Sequence, residues 1–193
     1  MTKTRLVLAE DEPIIRLDLR ETLEEEGYEI VGEAGVGARA IELVRELRPD
    51  VAILDIKMPG TDGLAAAKVI ISERLAAVVI LTAFSQRELV EQARDAGALA
   101  YVVKPFHGAE LVPAIELAKA RFNEAVALAE QAESLADQLD TRKLVDRAKG
   151  ALMDTHGLSE GDAFRFIQTT AMSTRSAMKD VAEQVIAGTL TPS

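Results

Sequence analysis

The stretch Val51-Ala52-Ile53-Leu54-Asp55-Ile56-Lys57-Met58-Pro59-Gly60 decides the fold. Its opening apolar run is too short for a helix and lacks the alternation of a half-exposed strand, so it suits a strand covered on both faces. The run ends on a carboxylate, and Pro59-Gly60 then turns the chain. The same pattern recurs on either side. Short runs rich in Val, Ile and Leu predict strands over Arg5–Ala9, Glu29–Glu33, Val51–Leu54, Ala77–Leu81 and Ala100–Val103. Amphipathic helical patterns lie near Pro13–Glu26, Ala38–Leu47, Gly63–Glu73 and Gln86–Asp95, with Gly27 and Gly97 as C-terminal caps. Five strands alternating with helices predict an α/β fold, a doubly wound five-stranded parallel sheet.

After Phe106 the character changes. From about Ala109 to Asp140 there is neither strand signal nor glycine, and a long helix is expected, with Pro113 early enough to be tolerated or to kink it slightly. Leu111, Ile115, Ala118, Phe122 and Ala125, then Leu128, Ala132, Leu135 and Leu139, form an apolar seam. The seam suits either a second chain or the protein's own domains. Beyond Thr141 three shorter helices are expected, Arg142–Thr155, Glu160–Met172 and Ser176–Ala187, the second capped by Ser159 with Asp162 in the capping-box position. Ala148, Ala151, Ala163, Ile167, Ala171, Met178, Val181, Ala182 and Val185 would core this small all-α bundle. The expected organisation is residues 1–120, a helical linker over 121–140, and a second domain over 141–193.

Composition narrows the function. With 193 residues and 48% hydrophobic content, the chain can bury a core and has room for two small domains. It has no cysteine, so thiolate metal sites and disulfides are excluded and any metal must sit on oxygens. No apolar run approaches the roughly 18 residues of a membrane span, and the opening residues do not read as a signal peptide, so a cytoplasmic protein without membrane contact is expected. The net charge of −10 is unevenly spread: residues 1–140 carry 15 basic and 26 acidic side chains, residues 141–193 carry 7 and 6. The last segment has shed the acidity that would repel nucleic acid.

Ligands of open parallel sheets bind beyond the carboxyl ends of the strands. Those ends carry Glu10-Asp11, Asp55, Thr82 and Lys104-Pro105. Converging carboxylates call for a hard cation, and so few protein ligands, leaving room for water, favour Mg²⁺. Asp55 is the candidate nucleophile of a phosphoryl-transfer site, Glu10 and Asp11 the metal holders, and Lys104 the partner of a phosphate oxygen.

Leu8-Ala9-Glu10-Asp11-Glu12, Leu54-Asp55-Ile56-Lys57-Met58-Pro59-Gly60, Leu81-Thr82-Ala83 and Tyr101-Val102-Val103-Lys104-Pro105-Phe106 together resemble the motifs of the response regulator receiver domain, over about residues 4–120. The resemblance implies a flavodoxin-like fold and phosphorylation of Asp55 by a sensor histidine kinase. It implies that the main-chain carbonyl of Lys57 joins Glu10, Asp11 and Asp55 around the metal, and that Lys104-Pro105 is cis. It also implies a switch in which Thr82 moves to the phosphoryl group and Tyr101 turns inward. Glu10 departs from the aspartate of many receivers. The charge is kept, with an expected effect on metal affinity.

In the last segment Arg142, Lys143, Arg147 and Lys149 cluster on one helix, and Arg175 and Lys179 open the next basic group. Arg147-Ala148-Lys149-Gly150, His156-Gly157-Leu158-Ser159-Glu160, Ala163-Phe164, Ala171-Met172 and Met178-Lys179-Asp180-Val181-Ala182 resemble the ANTAR domain, over roughly residues 135–187. That family implies binding of paired RNA hairpins in nascent transcripts and transcription antitermination. The RNA-contacting set would be Arg142, Lys143, Arg147, Lys149, Gly150, Arg175 and Lys179, with dimerisation on phosphorylation suiting the paired target. A DNA-binding regulator is the alternative, though Ser176–Ala187 is poorly equipped to read base edges. A protein-binding output is a third reading. An enzyme is not expected beyond the receiver's own phosphorylation and dephosphorylation.

Overall fold

The computed structural model describes residues 3–83 and 96–192, so the helical pattern at Gln86–Asp95 lies outside the described residues. The chain divides into two compact units, residues 1–127 and 128–193.

In the first unit, β1 (Arg5–Ala9), β2 (Glu29–Ala34), β3 (Val51–Asp55), β4 (Ala77–Thr82) and β5 (Ala100–Val103) form one parallel sheet in the order β2-β1-β3-β4-β5. β3 and β4 are buried along their whole length, as their unbroken apolar sequences require. Strand alternation divides the core in two. Val7, Ala9, Ala52, Leu54, Val78 and Ile80 face α2 (Gly37–Leu47) and α3 (Gly63–Ser72). Leu6, Leu8, Val51, Ile53, Val79 and Leu81 face α1 (Pro13–Glu25) and the start of α4 (Gly108–His156). Asp55 and Thr82 are the last residues of their strands, so the pleat that buries their apolar neighbours also fixes where these side chains emerge.

Within this unit α4 is seated by Leu111, Ile115 and Ala118, all fully buried. Two polar contacts reinforce the seat: the Tyr28 hydroxyl donates to Glu116 Oε1 at 2.9 Å, and Lys119 Nζ donates to Thr4 Oγ1 at 2.8 Å. Pro113 lies inside the helix without ending it.

One expectation is corrected here. The helix expected over Arg142–Thr155 is not separate, because α4 runs unbroken from Gly108 to His156. No glycine or proline lies between Pro113 and Gly150, and Lys143 pairs with Asp140 across the expected break at 3.3 Å, so nothing in the sequence stops propagation. The helix ends at Gly157, whose φ of 66° turns the chain.

The second unit packs the end of α4 against α5 (Glu160–Thr174) and α6 (Met178–Ile186). Its buried residues are Val145, Ala148, Leu152, Ala163, Ile167, Ala171, Val181, Ala182 and Val185. Val145 and Leu152 were not in the expected core, while Ala151 and Met178 are only partly buried. Ser159 caps α5, its hydroxyl accepting from the Asp162 N–H at 3.2 Å. α5 also extends past Met172, and Arg175 closes it in a left-handed conformation (φ 55°) rather than opening the next helix.

Because Ile115 is buried at zero exposure in the core cluster that α1, the sheet and α4 share, Ile115→Ala is expected to cost about 2–5 kcal/mol of the first unit's stability, read as a lowered denaturant midpoint.

Candidate functional site

The strand order places β1 and β3 side by side, and their carboxyl ends meet at the point where the chain changes direction across the sheet. Glu10 and Asp11 follow β1, Asp55 ends β3, Thr82 ends β4, and Lys104 follows β5. Glu10, Asp55 and Thr82 are 0%, 5% and 3% exposed, and they are the buried polar or charged residues of the described chain. Oxygens of Glu10, Asp11 and Asp55 all lie within 4.8 Å of one another. A cleft of about 530 Å³ opens over them, lined by Asp11, Asp55, Lys57, Thr82 and Lys104 together with Phe106.

Lys104 holds this acidic group together. Its Nζ lies 2.6 Å from Glu10 Oε2 and 2.7 Å from Asp55 Oδ1. Burial pushes the Glu10 carboxyl above the usual carboxylate range, against the Lys104 hydrogen bond that favours its ionised form. Burial also works to lower the Lys104 ammonium, but the bonds to Asp55 and Glu10 outweigh it and hold the lysine above its usual range. The remaining oxygens are aimed by the main chain. The Lys57 N–H donates to Asp55 Oδ2 at 3.0 Å, and the Glu12 N–H donates to Glu10 Oε1 at 3.2 Å.

The turn after Asp55 is built around a close approach. A Cβ on Gly63 would lie 1.9 Å from the Asp55 carbonyl oxygen, so only glycine fits there. α3 starts at that glycine with Asp62 as its cap, accepting from the Ala65 N–H at 2.7 Å. The Lys104–Pro105 bond is cis. Tyr101 lies on the edge strand β5 and is 47% exposed. All the receiver-side residues singled out from the sequence except Tyr101 thus gather at or around one cleft. Two charged residues that the motifs did not point to, Arg16 and Glu33, also lie beside the β1–α1 connection. Arg16 reads in sequence as one more polar position on an amphipathic helix.

The second unit treats its predicted residues unequally. Arg142, Lys143, Arg147 and Lys179 are exposed, and Arg175 is exposed at the left-handed end of α5. Lys149 is engaged by Asp146 and Glu160, each at 2.8 Å, and these two bonds hold its ammonium above the usual range. For Gly150, a Cβ would meet nothing within 4 Å, so packing between helices does not require glycine there. A cleft of about 720 Å³ runs along α4, with Arg142, Val145 and Lys149 on one side and Phe164 and Met178 on the other. Phe164 is 41% exposed in it, whereas Phe166 packs on the core.

The response regulator receiver domain family matches residues 6–116, and the ANTAR domain family matches residues 133–186. Over 188 residues, 97% of this chain and 92% of the relative, the sequence is 57% identical to the transcriptional regulatory protein PdtaR of Mycobacterium tuberculosis. The chain belongs to the response regulators, with a receiver domain followed by an ANTAR domain. The receiver part of this response regulator is also 35% identical to the chemotaxis protein CheY of Thermotoga maritima, over 58% of this chain and 93% of that one. Among solved structures, it is similar to the signal receiver domain of the response regulator NarL from Mycobacterium tuberculosis. The TM-score is 0.59 with 36% identity, covering 62% of this chain and 98% of that one. Among the described residues, no helix of the regulator is long and apolar enough to cross a membrane.

If Lys104 is what offsets the repulsion between Glu10 and Asp55, removing it leaves two buried carboxylates facing each other. Lys104→Met is therefore expected to melt at a lower temperature than the parent without divalent ions, and to gain more from saturating Mg²⁺ than the parent does. Thermal melts of both proteins, with and without the ion, check it.

Proposed function

We propose that this response regulator receives a phosphoryl group on Asp55 from a sensor histidine kinase and controls gene expression by binding RNA hairpins through its ANTAR domain. The observation that carries the first half is Lys104 bridging Glu10 and Asp55 at the carboxyl edge of the sheet. In the transfer, the phosphorus–nitrogen bond of a phosphohistidine breaks and an oxygen of Asp55 bonds to phosphorus, giving an acyl phosphate. Asp55 is held for this by the Lys57 N–H on Oδ2 and by Lys104 on Oδ1. Lys104, kept protonated by its two partners, carries the positive charge that a phosphoryl oxygen needs.

The three carboxylates suit a hard divalent ion by their chemistry and their spacing, so Glu10, Asp11 and Asp55, with the Lys57 carbonyl, would hold Mg²⁺. Such an ion supplies charge neutralisation to the transferring group. The added charge of roughly −1.5 to −2 must then be accommodated in a pocket that is already acidic. Thr82, buried at the end of β4 and lining the cleft, would donate its hydroxyl to the modified Asp55, and Tyr101 is the exposed edge residue that would turn inward. Asp55→Asn is expected to incorporate no phosphate from a small-molecule acyl phosphate with Mg²⁺. Undiminished stoichiometry would overturn the assignment.

For the output, RNA loops present unstacked bases and phosphates to a small basic surface. Arg142, Lys143 and Arg147 on α4, with Arg175 and Lys179, are the proposed phosphate contacts, and Lys149 and Gly150 complete the set. Lys149 contributes least, since contact with RNA must compete with Asp146 and Glu160. Leu128, Leu135 and Leu139 are exposed along α4, which supports pairing with a second chain when Asp55 is phosphorylated. Paired modules would suit a paired hairpin target and an antitermination outcome.

In a titration against paired-hairpin RNA, scrambled RNA and matched duplex DNA, hairpin RNA is expected to bind tightest. Arg147→Ala is expected to weaken binding and to reduce the steepness of its salt dependence by about one phosphate contact, with Lys149→Ala having the smaller effect. Preference for the duplex selects a DNA-binding regulator, and no binding to any of the three selects a protein partner.

A further inference from the structure

We propose that Arg16 is a positioning residue for the divalent cation site, a role that rests on the receiver reading above. Glu10 and Asp11 sit in the three-residue connection between Ala9, the end of β1, and Pro13, the start of α1. Short connections of this kind carry a site accurately only when their peptides cannot rotate. Here both main-chain groups of Glu10 are bound. Its N–H donates to the Ala34 carbonyl of β2 at 3.0 Å, and its carbonyl accepts from Arg16 Nη1 in the first turn and a half of α1.

Arg16 is itself fixed. Its Nε lies 3.4 Å from Glu33 Oε2 on β2, its side chain is 22% exposed, and its guanidinium passes over Gly35, where a Cβ would stand 3.5 Å from Nη1. The edge strand therefore grips Glu10 twice, directly through Ala34 and indirectly through Glu33 and Arg16. The carbonyl of Glu10 belongs to the peptide that leads into Asp11. Pinning it sets the plane of that peptide and hence the direction in which the Asp11 carboxylate is presented.

The guanidinium suits this task for two reasons. Its fork reaches a main-chain oxygen and a carboxylate at once, which a lysine ammonium at the same place cannot do with the same geometry. It also brings a positive charge to the β1–α1 connection through a main-chain oxygen of Glu10, without itself occupying the Glu10 carboxylate. Arg20 provides a comparison within the same helix. It also pairs with Glu33, at 3.3 Å, and with Glu24, at 3.1 Å, but has no bond to the β1–α1 connection.

The test is a calorimetric titration of the full chain with Mg²⁺ alone, without phosphoryl donor, on the parent, Arg16→Met, Arg16→Lys and Arg20→Met. Loss of an outer-shell partner of a metal ligand weakens binding by about 10- to 100-fold, and Arg16→Met is expected to raise the Kd for Mg²⁺ by at least about tenfold. Arg16→Lys is expected to recover part of the loss, and Arg20→Met to bind as the parent does. A lowered melting temperature in Arg16→Met with an unchanged Kd would reduce Arg16 to a fold contact and overturn the proposal. Equal weakening by Arg20→Met would overturn it too. If Arg16→Met does not fold, Glu33→Gln takes its place, and an unchanged Kd there is equally fatal. Failure of the parent to bind Mg²⁺ at all is a separate result, which removes the proposed cation site on Glu10, Asp11 and Asp55 rather than the role of Arg16 within it.

Discussion

The constraint on which the first unit turns is the burial of like charges at the end of a parallel sheet. Glu10 and Asp55 are almost fully withdrawn from water and lie close enough to repel each other, and one ammonium reaches both. Such an arrangement is a poor source of stability, since the desolvation of each charge is scarcely repaid by the pairing. It persists because three strand ends, each anchored by apolar neighbours packed on both faces of the sheet, leave these side chains nowhere else to go. Strain of this sort collects at functional sites, where the surrounding fold over-determines the geometry.

The topology supplies that over-determination. With β1 between β2 and β3, the connections leaving β1 and β3 come together, while β4 and β5 bring a hydroxyl and an amine from the other side. The glycine that lets α3 begin directly beneath the Asp55 carbonyl keeps the β3 turn close, so the carboxylate is aimed by main-chain contacts as well as by Lys104. Small displacements of a charge in this cleft are thereby coupled to the ends of four strands.

Much of this was legible in the amino-acid sequence, for a physical reason. A strand covered on both faces needs an unbroken apolar run, and a residue that interrupts such a run with a charge must lie at its end. Asp55, Glu10-Asp11 and Lys104 announce themselves that way, so the sheet and its acidic edge follow from local pattern. Arg16 did not, because its role depends on which main-chain oxygen lies beside it once β2 and α1 have packed. The continuity of α4 escapes the local pattern for a different reason. The change in charge near Thr141 suggests a boundary, but the second unit already begins at Leu128, and a helix answers to propensity and to breakers, of which that segment contains none. The engagement of Lys149 by Glu160 and the open space around Gly150 are likewise tertiary facts with no local signal.

The continuity of α4 has a consequence for how the molecule breathes. Leu111 to Ala118 belong to one core and Val145 to Leu152 to another, whereas residues 130–140 are exposed on every side. Amide protons in that solvated span are protected by intrahelical bonds alone, with no apolar cluster to resist local opening. Hydrogen exchange along a single helix would thus be slow, fast and slow again, and the fast span could fray and re-form while both cores stayed intact.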